Sequence, residues 1–288
     1  MKSPVRMVLA ASCAVAMISV PTTAWSADKP ENTPKAAATP KATGKAKPAP
    51  KPVPAPKPVD CAKVKCIALT FDDGPGKYAD KLLDTFKKYK SKATFFLEGQ
   101  YVKSRPAFAK RMVVEGHEIG NHSYTHPHLR ELSEDKIREE LTSTQAIVKK
   151  VTGKYPTTIR PPYGELDGRV SAIAKEMGMP IILWNGGSRD WATRNEKAIH
   201  DEVLKNAKRD GVILMHDWVE QTVKVMPKLL VALQKQGYHV VSVSSLRGAK
   251  ATVAGDVYPV GSEKDDDLNS DSPTGDPDAY AQSPEDSF

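Results

Sequence analysis

The chain has 288 residues, with 42 Lys and Arg against 35 Asp and Glu, a formal net charge of +7 and three cysteines. Once its compositionally biased ends are set aside, that length leaves one sizeable domain. A basic balance without a basic patch interleaved with aromatics argues against a nucleic-acid partner and points to anionic polymers.

Residues 1–26 have the form of a secretory signal. Lys2 and Arg6 give a positive start, Val8 to Val20 an apolar stretch, and Ala24-Trp25-Ser26-Ala27 small residues for cleavage after Ala24, Ser26 or Ala27. The apolar stretch is too short for a good membrane span, so no stable membrane anchor is expected. Cleavage before Cys13, after Ala10-Ala11-Ser12, is the lipoprotein alternative. Residues 27–58 are Pro, Ala and Lys with almost nothing large and apolar. Such a segment cannot bury enough surface to fold and reads as an extended, partly PPII-like spacer. Its seven Lys against Asp28 and Glu31 would let it cross or adhere to an anionic cell envelope. A secreted or envelope-associated protein is expected. After signal removal only Cys61 and Cys66 remain. In an oxidising compartment they would pair, closing a short loop worth roughly 2 kcal/mol just before the first strand.

Residues 59–248 form the expected domain, with 31 Lys and Arg against 23 Asp and Glu. Apolar runs alternate with amphipathic stretches. Ile67–Phe71 reads as a strand, Tyr78–Tyr89 as a helix with Leu82, Leu83 and Phe86 on one face, and Ala93–Leu97 as the next strand. Pro106–Glu115 is a helix closed by Gly116, and His117–Gly120 a short strand. Ser133–Val151 is a long helix with an N-cap and an acidic first turn. Thr157–Arg160 is a strand end, Asp167–Met177 a helix, Pro180–Trp184 a strand and Glu196–Arg209 a helix. Val212–Met215 is a strand, Val219–Gln236 a helix and His239–Val243 the last strand. About seven βα units in one domain predict a parallel α/β barrel or sheet, whose chemistry sits at the carboxyl ends of the strands. Residues 249–288 carry ten Asp and Glu against Lys250 and Lys264 and read as an acidic, disordered tail.

The chemistry-bearing residues fall at those strand ends. Asp72 and Asp73 end the first strand, and two adjacent buried carboxylates are costly unless something divides their labour. A metal does so, taking one as a ligand and leaving the other as a base. His122 and His126, at i and i+4, have a common metal-ligand spacing, with His117 and His128 as nearby competitors. Arg160, at the head of Arg160-Pro161-Pro162-Tyr163-Gly164, could hold a carboxylate ionised and aimed, although alone it reads as a solvated Arg of a surface turn. The rigid loop beside it could present an N–H to a developing oxyanion. His216 alone reads as a core histidine; paired with an Asp it becomes an imidazolium able to protonate a leaving group.

In this order, Thr70-Phe71-Asp72-Asp73-Gly74-Pro75, His122-Ser123-Tyr124-Thr125-His126, Arg160 to Gly164, Ser188-Arg189-Asp190-Trp191 and Leu214-Met215-His216 resemble the five motifs of the polysaccharide deacetylases, the NodB-homology or carbohydrate esterase family 4 enzymes. The resemblance covers about 180 residues, Lys65 to Arg247, and the spacer and cysteine pair look like those of exported actinobacterial members. It implies a single-domain, distorted (β/α) barrel with about seven βα units. It implies Asp72 as general base oriented by Arg160, and Asp73, His122 and His126 as ligands of a divalent metal. Zinc is the first choice, with Co2+, Mn2+ and Ni2+ as alternatives. It further implies the Tyr163 backbone N–H as oxyanion donor, His216 as general acid tuned by Asp190, and Trp191 and Leu214 as walls of the acetyl pocket. The sequence departs from the family at Gly187, where the fourth motif usually carries an Asp three residues before the Asp-Trp pair. That puts the shape of this loop, and with it the substrate pocket or pH optimum, in question.

The expected activity is hydrolysis of N-acetyl groups on N-acetylglucosamine polymers, peptidoglycan or chitin, by a monomer. The alternatives are an O-deacetylase acting on acetylated xylan and a wall-binding protein without catalysis; no ligand of the site is missing to support the latter.

Overall fold

The computed structural model describes residues 59–248, 253–260 and 262. The expected signal segment 1–26, the spacer 27–58 and most of the acidic tail lie outside the described residues. In chain order the elements are β1 (Lys65–Gly74), α1 (Ala79–Lys88), β2 (Thr94–Leu97), α2 (Gly99–Ser104), α3 (Pro106–Val114) and β3 (Glu118–Asn121). Then come α4 (Glu134–Thr152), α5 (Gly168–Glu176), β4 (Ile181–Ile182), β5 (Gly186–Gly187), α6 (Asp190–Thr193) and α7 (Glu196–Asn206). The chain continues through β6 (Gly211–His216), α8 (Glu220–Lys235), β7 (Tyr238–Val241), α9 (Val243–Arg247) and β8 (Val257–Tyr258).

β1 organises the barrel. Nine of its ten residues are buried, as expected of a strand covered on both faces. One edge pairs parallel with β6, from Ile67 opposite Gly211 to Asp72 opposite His216. The other edge is shared end to end: Lys65 to Ala68 pair with β7, and Thr70 onward with β2. Thr94 sits at that joint, where its hydroxyl accepts the Val243 N–H at 2.9 Å and donates to Glu118 at 2.9 Å. β2 pairs with β3, and Ile159 bridges Asn121 of β3 to Ile181 of β4. Within a few residues the chain then changes partner, and β5 pairs with Ile213 and Leu214 of β6. The result is a distorted (β/α) barrel with seven strand positions, Ile159 and the β4–β5 stretch each supplying one.

The two-residue period of β1 sorts its side chains. Ile67, Leu69 and Phe71 join an outer core with Leu82, Leu83 and Phe86 of α1 and Met226, Leu229 and Leu233 of α8. Cys66 and Ala68 join a second core with Phe96, Ile159, Ile182, Val212 and Leu214. Thr70 and Asp72 share the parity of this second set, so the alternation itself aims Asp72 inward. α4 starts on a Ser133 side chain that accepts the Lys136 N–H, with Glu134 and Asp135 in its first turn, and ends at Gly153 with φ 78°.

Several boundaries differ from the expectation. The strand end over Thr157–Arg160 is reduced to one residue, Ile159, with a bridge on either side, because Pro156, Pro161 and Pro162 supply no N–H for a longer ladder. α2, α6 and α9 have six residues or fewer, too short to display a helical period. The folded chain continues past residue 248, where the acidic tail was expected to begin. Val257 and Tyr258, an apolar pair in that polar stretch, form β8 and pair parallel with β4. Cys61 and Cys66 are joined as expected, with Cα atoms 5.5 Å apart. No helix among the described residues is long and apolar enough to cross a membrane.

Phe86 is fully buried and meets Phe71 edge to face at 5.7 Å. Phe86→Ala should therefore cost about 3–5 kcal/mol of stability, seen as a lower midpoint in urea unfolding with an unchanged slope.

Candidate active site

The site is built at the carboxyl end of β1 from residues that the barrel delivers from five further positions. Arg160 is fully buried just past the Ile159 bridges. Its guanidinium donates to the Thr70 hydroxyl at 2.8 Å, to Asp72 Oδ1 at 2.7 Å, and to the carbonyls of Ile182 and Leu183, both at 2.9 Å. It also lies 4.1 Å from the centroid of the Phe96 ring. A guanidinium keeps its proton even when buried, and here it holds Asp72 in one orientation. The solvated surface Arg that residues 160–164 suggest in isolation is thus replaced by a cation at the centre of the barrel.

Asp73 points elsewhere. Its backbone takes φ 62°, a left-handed conformation costing a non-glycine residue of order 1–3 kcal/mol, which turns it away from the alternation of the strand. Asp73 Oδ1 lies 3.2 Å from His122 Nε2 and 3.4 Å from His126 Nε2, buried and without a hydrogen-bond partner. His122 Nδ1 lies 2.7 Å from the Arg160 carbonyl, which can only accept, so Nδ1 carries a proton and Nε2 is the ring nitrogen turned toward Asp73. In a neutral imidazole that nitrogen carries a lone pair, which a cation shared with Asp73 Oδ1, 3.2 Å away, could take. The three candidate ligand atoms lie within 4.8 Å of one another, and one carboxylate with two imidazoles is a donor set suited to a divalent ion with open positions. The residues fit a metal. Burial opposes ionisation of Asp73, but His126, His122 and His216 outweigh it and hold its carboxyl well below the ordinary range. Burial pushes His126 down to about 4, so its imidazole is neutral and able to ligate.

On the other side of Asp73 stands His216, the last residue of β6, with Nε2 at 3.7 Å from Asp73 Oδ2. Asp190 grips it twice: Oδ1 accepts from Nδ1 at 2.8 Å, and Oδ2 accepts the His216 backbone N–H at 2.8 Å. Asp190 is itself held by the Thr222 hydroxyl at 2.7 Å and the Trp191 N–H at 2.9 Å. Burial works against charge on His216, but Asp190, with Asp73 and Asp72 behind it, overcomes this and raises the imidazole to about 9.

Asp72, Asp73, His122, His126, Arg160, Asp190 and His216 are thus linked in one network. The Tyr163 ring packs 4.6 Å from His126, and its backbone takes φ 58° between Pro162 and Gly164. Leu214 lies on the same face of β6 as His216, while Trp191 follows Asp190 in α6. The competitors fall away. His128 stacks on Tyr163 at 4.1 Å and faces Glu165, and His117 sits between Phe86 and Phe95 in the outer core. Cys61 and Cys66 lie at the far, amino-terminal end of β1 and take no part.

Other residues of the site were not anticipated. Trp218 donates its indole N–H to Asp73 Oδ2 at 3.2 Å. Asp217, fully buried, accepts the Gly76 N–H at 2.9 Å. Burial pushes its carboxyl up to about 7, with Gly76 opposing and Asp73 adding to the rise. Gly74 and Gly76 allow this approach, since a Cβ on either would come within 2.9 Å of that carboxylate. Both Asp217 and Trp218 follow His216 directly, so their place at a strand end was the available signal. Glu98, at the end of β2, is buried, and burial together with Asp73 raises its carboxyl well above the ordinary range.

Comparison with known proteins gives a consistent result. The family model described as polysaccharide deacetylase matches residues 60–182. The peptidoglycan-N-acetylglucosamine deacetylase PgdA of Listeria monocytogenes is 40% identical over 190 residues, 66% of this chain and 40% of its own length. The chain therefore spans well under half of that relative. A peptidoglycan-N-acetylglucosamine deacetylase of Bacillus cereus is 39% identical over 188 residues, 63% of this chain and 88% of its own. The solved structure of the T48 deacetylase with substrate superposes with a TM-score of 0.66 at 37% identity, covering 69% of this chain and 99% of that one. With the five motifs gathered at the end of β1, these matches show that the chain belongs to the polysaccharide deacetylase family, the NodB-homology group of carbohydrate esterase family 4.

Proposed function

We propose that this protein is a secreted or envelope-associated, metal-dependent N-deacetylase that removes acetyl groups from N-acetylglucosamine residues of peptidoglycan, with chitin as the second candidate. The observation that carries the reading is the unpartnered Asp73 Oδ1 facing two imidazoles, beside a second aspartate tied to a buried arginine. The names of the Listeria and Bacillus relatives favour peptidoglycan over chitin. The basic spacer and basic domain suit an anionic wall.

Asp73, His122 and His126 would hold the ion, zinc in the first instance. Bound there, a divalent ion lowers the pKa of water toward about 7 and polarises an acetyl carbonyl. The protein supplies the rest. Asp72 accepts the proton of the attacking water, and Arg160 keeps its carboxylate aimed. The Tyr163 backbone N–H serves the developing oxyanion, and Trp191 and Leu214 bound the acetyl methyl. His216, charged at neutral pH through Asp190, protonates the departing nitrogen as the C–N bond breaks. Acetate and a free amino sugar leave.

Acetate release by the purified chain from N-acetylated peptidoglycan and chitooligosaccharides should be abolished by a chelator and restored by zinc. Release from acetylated xylan alone would move the protein to the O-deacetylases, and zinc binding without release from any substrate would support a wall-binding role. Asp72→Asn should keep bound zinc while kcat falls roughly 10²–10⁴-fold, read by metal analysis beside turnover. Loss of metal in that variant would mean that the two aspartates have the opposite roles. Activity that needs protonated His216 is present below its raised pKa and is lost as pH rises through it. Asp190→Asn removes the charge responsible, so the alkaline limb of the kcat profile should move to lower pH; an unmoved limb would exclude His216 as the acid.

A further inference from the structure

Accepting the metal site proposed above, we propose that Glu140 is a positioning residue for it: its carboxylate fixes the loop that carries His122 and His126 and thereby sets divalent-metal affinity. The loop needs outside support. Ser123 and His126, both non-glycine, take φ 63° and 60°, so the segment that runs from one imidazole to the other holds two residues in left-handed conformations. Such a loop persists only where its surroundings over-determine it.

Two elements grip it. The first turn of α2 holds its carbonyls: Gly99 N–H donates to Ser123 and Gln100 N–H to Tyr124, each at 3.1 Å. A Cβ at Gly99 would come 2.2 Å from the Tyr124 ring, so the approach is as close as the chain allows. α4 holds its N–H groups. Glu140 Oε2 accepts from Tyr124 N at 2.7 Å and Thr125 N at 2.8 Å, and Oε1 accepts the Thr125 hydroxyl at 2.8 Å. One residue on, the Leu141 carbonyl accepts from the Asn121 side chain at 2.8 Å, and Asn121 Oδ1 accepts the Ser123 N–H at 2.9 Å. Glu140 thus satisfies both peptide N–H groups at the centre of the loop, between the two candidate ligands. Without it those donors are left to find other partners, and His126 loses its fixed distance to Asp73. Groups that orient metal ligands from behind typically contribute 10–100-fold in metal affinity.

The test measures zinc affinity of the full chain by chelator competition, and the visible spectrum of its Co2+ form, for the parent and for Glu140→Gln, Thr125→Val and Glu139→Gln. Glu139 is an exposed neighbour on α4 paired with Lys136. Glu140→Gln should bind zinc roughly 10–100-fold more weakly and shift the cobalt bands. Thr125→Val should lose less, and Glu139→Gln should stay within about twofold. The loss should persist at 1 M NaCl, where a distant charge effect is screened. Should Glu140→Gln not fold, Thr125→Val and Glu140→Asp carry the test through the same two readouts. Parent-like affinity and spectrum in the Glu140 variants, or a loss that vanishes in high salt, overturns the proposal. A parent chain that binds neither ion overturns the metal reading itself, and this proposal with it.

Discussion

The buried guanidinium of Arg160 is the interaction on which the rest of the structure depends. Its side chain joins β1, through Thr70 and Asp72, to the carbonyls of Ile182 and Leu183 across the barrel. Its own carbonyl fixes the tautomer of His122. One residue therefore aims one candidate catalytic carboxylate and prepares one candidate metal ligand. Burying that charge is tolerable because it is matched by Asp72 and by three neutral acceptors; removing either partner leaves an uncompensated buried ion, a change that typically costs 3–5 kcal/mol.

The same geometry explains how two adjacent aspartates acquire different surroundings. Strand alternation sends Asp72 inward to Arg160. The left-handed backbone of Asp73 sends its carboxylate to the His pair and to the indole of Trp218. Asp217 then closes over the turn that follows, and the glycines of that turn leave room for it. A carboxylate fixed by a guanidinium and another facing two imidazoles have unlike chemistry, although they are neighbours in the chain. His216, opposite Asp72 in the β1–β6 register, completes the set with a proton held by Asp190.

Much of this was legible in the sequence because it rests on local pattern. The apolar run before Asp72, the helical period of α1 and the glycine after α4 are short-range signals, and they placed most elements to within a residue or two. The motif residues stood at strand ends, which is where a parallel barrel gathers its chemistry. What was hidden depends on long-range contact. Arg160 alone reads as a solvated residue of a surface turn, and only the motif that it heads assigned it to Asp72; its full burial depends on partners far away in the chain. Glu140 and Thr222 lie in helices, 15 or 16 and 32 residues from the groups they hold, and no periodicity marks them. β8 escaped because two apolar residues in an acidic stretch carry too weak a signal to overrule its composition.

The central claim is that Asp73, and not Asp72, joins His122 and His126 around a divalent ion. Anomalous diffraction at the zinc edge, from crystals of the protein grown with zinc, tests it directly. The account predicts one peak at about 2.0–2.2 Å from Asp73 Oδ1, His122 Nε2 and His126 Nε2, with Asp72 still bound to Arg160. A peak ligated by Asp72, or no peak among these side chains, would contradict it.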